Sequence, residues 1–295
     1  MIATAALVLP NFVLIFAGLV LSRRFAFGRA FWEGLEKLVY YLLFPALLVR
    51  SLATARIDLA ATGTLIACAL GFTVLGLGLS LVPALLGVDR RTLASGSQCA
   101  YRFNTYIGLA VAGSLFGPPG VALAALLLGA LIPFVNVTAV ALLASNASRG
   151  LALELASNPL IVSTLAGFAW NALGLPVPGF ADQTLALLGQ ASLPAGLLCV
   201  GAAMHLGREG GSVPLHAWWL AVKLGVLPAV ALVLVHVLGL QGMQARVLLL
   251  CAALPTATNA YVLAVRMGGD GRTAAVQVTL GTLASMATLP MWMAV

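Results

Sequence analysis

Leu254-Pro255-Thr256-Ala257-Thr258-Asn259-Ala260-Tyr261 is the stretch on which the fold turns. It interrupts an apolar run that begins at Met243, and the 12 residues of helix before Pro255 rise ~18 Å, a little over half the width of a bilayer's hydrocarbon core. Pro255 has no amide hydrogen and its ring clashes with the preceding turn. Thr256, Thr258 and Asn259 carry polar atoms able to satisfy the backbone groups this frees. A kink packed within protein is the plain reading of such a proline, and a broken helix is the sharper one. A second interruption, Tyr101-Arg102-Phe103-Asn104-Thr105-Tyr106-Ile107-Gly108, lies ~16 Å of helical rise beyond Arg91 and shares Asn-x-Tyr with the first. That match favours a break in both.

Around these interruptions the chain repeats itself. Pro10 with Ala17-Gly18 recurs as Pro159 with Ala166-Gly167, and Phe44-Pro45-Ala46 as Leu193-Pro194-Ala195, both 149 residues on. Pro133 and Pro290 fall at matching places near the ends of the two copies. Ten apolar runs stand between the Gly, Pro and charged breaks, at about 20 residues per crossing. They are Ile2–Leu21, Leu38–Ala53, Leu59–Leu86, Leu93–Phe116, Val121–Ala144, Asn158–Leu173, Thr184–Leu206, Leu215–Leu238, Met243–Met267 and Thr273–Val295. Five per copy is odd, so the second copy enters the membrane from the opposite side and the repeat is inverted. The expected fold is all-α and integral to the membrane. Its ten transmembrane helices form two five-helix inverted repeats, residues 1–148 and 149–295, with broken helices 4 and 9 crossing near the midplane.

Composition demands the same class. Hydrophobic residues make up 62% of the chain and charged ones 8%, against roughly 25% charged in a soluble domain, and mean hydropathy is +1.08. The net charge of +7 would suggest nucleic acid in a soluble protein, but here the cations read as topology signals. Arg23, Arg24, Arg29, Lys37, Arg90, Arg91, Arg149, Arg208, Arg266 and Arg272 fall in alternate loops beginning with Ser22–Lys37; only Arg56 and Arg246 fall on the other side. The positive-inside rule then puts the first loop in the cytoplasm and both termini outside. Ile2–Leu21 lacks a basic n-region and is followed by Arg23-Arg24, so it reads as a retained helix and not a signal peptide. Ser145–Ser157 reads as the linker between the halves.

All eight carboxylates, Glu33, Glu36, Asp58, Asp89, Glu154, Asp182, Glu209 and Asp270, fall in loops or at span edges. A carboxylate at membrane depth is the usual proton or sodium ligand, so its absence argues against a built-in cation site. Cys68, Cys99, Cys199 and Cys251 sit in apolar runs without metal-ligand spacing, and no His-Glu-x-x-His, Ser-His-Asp set or Gly-rich phosphate loop occurs. The expectation is no metal, no cofactor and no enzyme activity. What remains is the pair of breaks. Each creates a helix N-terminus, near Tyr106 and near Ala260, whose free N–H groups and dipole favour an anion. The candidate binding residues are Arg102, Asn104, Thr105, Tyr106, Thr256, Thr258, Asn259 and Tyr261, with Gly108 and Pro255 at the crossover. Arg102 has two readings, snorkelling to the cytoplasmic surface or attraction of substrate, and its depth favours the second. Lys223, a turn deeper than the interfacial pair Trp218-Trp219, reads as snorkelling. Arg50 reads as a gate or an edge anchor, and His205 and His216 as interfacial.

Leu254-Pro255-Thr256-Ala257-Thr258-Asn259-Ala260-Tyr261-Val262-Leu263-Ala264, followed by Gly268-Gly269-Asp270, resembles the ninth-helix motif of the auxin efflux carrier family. Asn104-Thr105-Tyr106-Ile107-Gly108-Leu109 with Phe116-Gly117 is similar to its fourth-helix motif, Leu43-Phe44-Pro45-Ala46-Leu47-Leu48 to its second-helix signature, and Thr282–Trp292 to its last helix. One departure is Ala110, where bacterial members commonly carry proline. The resemblance implies a fold like that of bile-acid symporters and sodium/proton antiporters. In that fold helices 1, 2, 6 and 7 form a scaffold, and helices 3–5 and 8–10 form a moving transport domain. It also implies transport of small organic acids such as auxin, malonate or malate, a homodimer built on the scaffold, and no universal ion coupling. The leading expectation is an elevator-type carrier of a small carboxylate, driven by membrane potential. The alternatives are a proton- or sodium-coupled carrier of the same fold and a membrane sensor that binds an organic acid without moving it. The expected partners are the lipid bilayer and the small anion; nucleic acid is not one.

Overall fold

The computed structural model describes residues 2–25, 27–55, 59–143, 159–204 and 212–295, and among these there is no strand. The expected linker Ser145–Ser157 lies outside the described residues, as do Arg56, Asp58, Arg149, Glu154, His205, Arg208 and Glu209. Helix α1 spans Ile2–Arg24. Then α2 (Arg29–Leu38), a π-helical turn (Val39–Leu43) and α3 (Phe44–Ala53) follow without a gap. Next come α4 (Leu59–Ser80), α5 (Arg90–Tyr101) and α6 (Thr105–Leu143). Later in the chain are α7 (Pro159–Ala172), α8 (Gly179–Ala202), and α9 (Val213–Ala221), which runs through a second π turn (Val222–Val226) into α10 (Leu227–Val237). The last are α11 (Gly242–Ala253), α12 (Asn259–Arg266) and α13 (Gly271–Met293).

Six helical stretches among the described residues are long and apolar enough to cross a membrane: Ala6–Arg24, Thr62–Leu86, Arg90–Leu143, Gly179–Ala202, Val213–Val237 and Gly271–Met293. The sequence divides the chain into ten runs, and the difference lies in the interruptions. Arg90–Leu143 holds two of those runs, because Gly117 (φ 64°, ψ −161°) turns the chain within α6 without a loop. Only glycine takes that left-handed backbone cheaply, and Pro118-Pro119 start the next helix where a missing amide does no harm. The run Leu38–Ala53 contains a π turn, Asn158–Leu173 is helical over Pro159–Ala172, and Met243–Met267 is split into α11 and α12. The loop expected at Ser22–Lys37 is largely α2. Phe31, Trp32 and Leu35 recur there at helical spacing, and Arg29 pairs with Glu33 one turn on at 2.7 Å.

Both π turns have one cause. A proline ring displaces the carbonyl four residues before it, and the wide turns lie just ahead of Pro45 and Pro228. The carbonyl displaced by Pro228 belongs to Leu224, and Trp292 Nε1 of α13 donates to it at 2.8 Å.

Two sets of close contacts stand out within one continuous core. α1 runs along α8 with backbones almost touching, since a methyl group on Gly18 would collide with the Leu198 carbonyl and one on Gly201 with that of Ile15. Small residues allow such approach where lipid supplies no hydrophobic drive between helices. α3 lies against α7 and α8. Asn171 Nδ2 of α7 donates to the carbonyls of Ala53 and Ala55 at 3.2 and 2.6 Å, closing the end of α3. Arg50 forms a two-point ion pair with Asp182 of α8, at 2.8 Å from Nε and 3.1 Å from Nη2.

The second set surrounds Trp219, which is fully buried. Its Nε1 donates to Ser80 O at 3.0 Å and Trp218 Nε1 to Leu79 O at 2.9 Å. The interfacial reading of this pair is therefore corrected for Trp219. The last carbonyls of α4 have no helical partners, and the two indoles supply them. His216 is also not interfacial but buried, with Nδ1 2.7 Å from Gln277 Oε1 of α13.

Candidate functional site

α5 and α11 are each 12 residues long, so each carries the chain ~18 Å before the helix stops. They stop side by side. Asn104 N donates to Pro255 O at 2.8 Å, a backbone bond that joins the two breaks directly. In the first break Arg102 is extended (φ −74°, ψ 162°). Asn104 Oδ1 accepts from Tyr106 N at 3.0 Å and Ile107 N at 3.2 Å, capping α6. Such a cap stabilises by about 1 kcal/mol, and it leaves Nδ2 as the group Asn104 can offer an anion.

The second break runs from Leu254 to Ala257, a turn forms at Thr258, and helix resumes at Asn259. The asparagine echo is therefore not an equivalence. Asn104 precedes the first helical residue, Thr105, whereas Asn259 is itself the first residue of α12. Accordingly Asn104 is 2% exposed and bonded, while Asn259 is exposed and α12 has no side-chain cap. Thr256 is buried beside the Cys99 thiol, with no hydrogen bond of ordinary geometry to its Oγ1. Thr105, Thr258 and Tyr261 are half-buried. Tyr106 leaves the cluster to stack on Phe44 of α3, ring centroids 4.6 Å apart and planes at 29°. Gly108 lies not in the break but one turn into α6, where a methyl group would collide with the Leu254 side chain. It lets the two interrupted helices touch.

Arg102 does not snorkel. It is 6% exposed, its Nη1 donates to Gln98 Oε1 at 3.2 Å and its Nη2 to Asn136 Oδ1 at 3.0 Å. Both partners are neutral amides. Among the described residues the ion pairs are Arg29–Glu33 and Arg50–Asp182, so no carboxylate balances this guanidinium. The snorkelling reading of Lys223 is corrected as well. Lys223 is 3% exposed, and from the π turn its Nζ reaches inward to Ala252 O of α11 at 3.1 Å. A buried charge without a counter-ion is costly in a low dielectric, and Arg102, whose guanidinium keeps its proton, makes the crossing electropositive. Gln98 and Asn136 are the residues that sequence reasoning leaves unassigned. Gln98 stands one helical turn before Arg102 and can be found from that spacing; Asn136 comes from another helix and carries no local signal. The four cysteines are buried free thiols, and no group able to hold a metal ion occurs among the described residues.

A model of the family described as "Membrane transport protein" matches residues 143–293, just over half of the chain. The chain belongs to the membrane transport protein family. This is the auxin efflux carrier family that its interrupted-helix motifs resemble. A Rhizobium meliloti (strain 1021) protein described as "Putative malonate transporter" is 27% identical over 304 residues, covering 96% of this chain and 92% of its own. A Methanothermobacter thermautotrophicus (strain Delta H) protein described as "Uncharacterized transporter" is 27% identical over 296 residues, covering 97% and 96%. The protein is a multi-pass membrane transporter and not an enzyme.

At the N-terminal end of α5, away from the breaks, the transporter ties its two interrupted segments together a second time. Asp270 N donates to Ser95 Oγ at 2.7 Å, and Arg91 Nη2 donates to Gly269 O at 3.2 Å. The Asp270 carboxylate caps α13, accepting from Thr273 N at 3.1 Å and Thr273 Oγ1 at 2.5 Å, and from Thr92 Oγ1 of α5 at 3.4 Å. Burial raises the Asp270 pKa, but the hydrogen bonds from Thr273 and Thr92 outweigh it and hold the carboxyl below its ordinary 3.8. Its contribution to stability is thus complete above that value and is lost as pH falls through the lowered one. Asp270→Asn keeps a cap but loses the negative charge at the start of α13 and is expected to cost about 0.3–1 kcal/mol at neutral pH, with the gap to wild type closing in acid. Thermal unfolding in detergent, followed from neutral pH downward, checks both parts.

Proposed function

We propose that the transporter carries small organic anions, carboxylates of the size of malonate or malate, bound at the crossing of the two breaks. The observation that carries this reading is Arg102, buried, held by two neutral amides and matched by no carboxylate among the described residues. An anion arriving there meets that charge, Asn104 Nδ2, Asn259, and the hydroxyls of Thr105, Thr256 and Thr258, with the positive dipole ends of α6 and α12 behind them; the amides of Tyr106, Ile107, Ala260 and Tyr261 are already bonded within the protein. Tyr261 flanks it, and Pro255 fixes the break. The printed name of the Rhizobium relative points to the same substrate class.

In this reading the ten apolar runs form two inverted repeats, residues 1–148 and 149–295, in a bacterial inner membrane with both termini outside. α1, α2–α3, α7 and α8 are a fixed scaffold on which a homodimer assembles. The remaining helices carry the substrate across as an elevator. The close packing of α1 on α8 and of α3 on α7 and α8 is consistent with that division, with α6 lying against all four. An anion moving down the membrane potential gains ~2.3 kcal/mol per charge per 100 mV, enough to drive export without a coupled cation.

The test is purified transporter in proteoliposomes, offered labelled mono- and dicarboxylates with voltage, sodium and pH gradients imposed one at a time. Voltage-driven flux of a small carboxylate is the expected result. Flux that requires sodium, or that collapses when only the pH gradient is removed, overturns the uncoupled mechanism. Specific binding with no flux overturns carriage altogether.

A further inference from the structure

Lys223 sits where a carrier without its ammonium would need something else. It lies in the π turn ahead of Pro228 and donates to Ala252 O at 3.1 Å, one residue before α11 ends. Beyond it Leu254 is extended (φ −61°, ψ 141°), so the final carbonyls of α11 lack helical partners and carry the negative end of its dipole. A carbonyl end buried at membrane depth calls for a cation or a donor. The helices packed against this π turn are α4, α5, α9, α10, α11 and α13, and none of them contains an aspartate or glutamate. The ammonium therefore has no side-chain counter-ion on any helix around it, only the carbonyl end of a broken helix.

We propose that the Lys223 ammonium is a resident cation of the crossing, filling the place at the end of α11 that a co-transported monovalent cation would otherwise occupy, so that carboxylate movement requires none. This rests on the carrier reading above and adds its ion requirement.

Labelled malonate flux is measured in proteoliposomes at fixed voltage, in choline, sodium or methylammonium medium. Wild type is expected to run equally in choline and sodium. Lys223→Ala removes the ammonium and leaves room beside Ala252; its flux in choline is expected to fall at least about ten-fold, the equivalent of one lost charge-assisted hydrogen bond. Methylammonium or sodium should restore it. Lys223→Met fills the space with a neutral chain of similar shape, so it should lose flux and not recover. A sodium requirement in wild type overturns the proposal. So does full flux of Lys223→Ala in choline, or its failure to recover with either cation. A second readout needs no substrate: the unfolding temperature of Lys223→Ala in detergent should rise by several degrees with methylammonium over choline, and those of wild type and Lys223→Met should not. If wild type moves no carboxylate, the carrier reading fails, and this stability comparison alone decides for or against Lys223. Should Lys223→Ala prove too unstable to purify, Lys223→Ser, which also leaves room beside Ala252, replaces it under the same criteria.

Discussion

Arg102→Gln is expected to reduce carboxylate flux about 100-fold or more while leaving a folded, inserted protein. A charge-assisted hydrogen bond to an anion contributes about 1.5–3 kcal/mol, and about 1.4 kcal/mol corresponds to a factor of ten. Around a buried guanidinium the lost Coulomb attraction adds to this. Stability should move differently. Arg102 is a buried cation facing only Gln98 and Asn136, so its removal relieves a desolvation cost while glutamine can still bond an amide. Flux down with unfolding temperature held or raised is the expected pair of results, from labelled dicarboxylate efflux and thermal unfolding in detergent. A joint fall of both would make Arg102 a structural residue. Arg102→Lys keeps the charge but not the fork that reaches two amides at once, and intermediate flux is expected.

The two asparagines should part company in the second experiment. Asn259→Ala is expected to abolish flux with a stability change within about 0.5 kcal/mol, because the side chain is exposed and caps nothing. Asn104→Ala is expected to abolish flux and also to cost about 1–2 kcal/mol, since Tyr106 N and Ile107 N lose their acceptor in a buried place. Equal stability losses would contradict the one-residue difference in helix register. Wild-type flux in Asn259→Ala would take Asn259 out of the site.

Both breaks are legible in sequence because their causes are local. Pro255 removes an amide, and polar residues cluster inside apolar runs at a depth that helical rise supplies. The echo of Asn-x-Tyr, however, hides the difference between a capping position and a first helical position, which one residue decides. Lys223 and Trp219 are misread for another reason. Each is judged by distance from the membrane surface, whereas its direction is set by neighbours: Trp219 by the carbonyl end of α4, Lys223 by a π turn that Pro228 imposes and that no 3.6-residue wheel displays. Asn136 lies 34 residues beyond Arg102, and only the packing of α6 against α5 brings them together. The large-scale plan follows from hydropathy, and the electrostatics of the crossing from tertiary contacts.

Tyr106 of the interrupted helix rests on Phe44, and Gly196 of α8 lies beneath both rings; a methyl group there would sit 3.0 Å from Phe44 Cε2 and 3.4 Å from Tyr106 Cγ. A stacked pair of this kind contributes about 0.5–1.5 kcal/mol beyond its buried area, only one to three times thermal energy. In the proposed elevator motion this contact is a detent and not a lock: it is weak enough to yield to a load that one bound anion can supply, and it acts beside the other contacts of α6 with α1, α3 and α8, among them Asn11 Nδ2 to Ser114 Oγ at 3.0 Å.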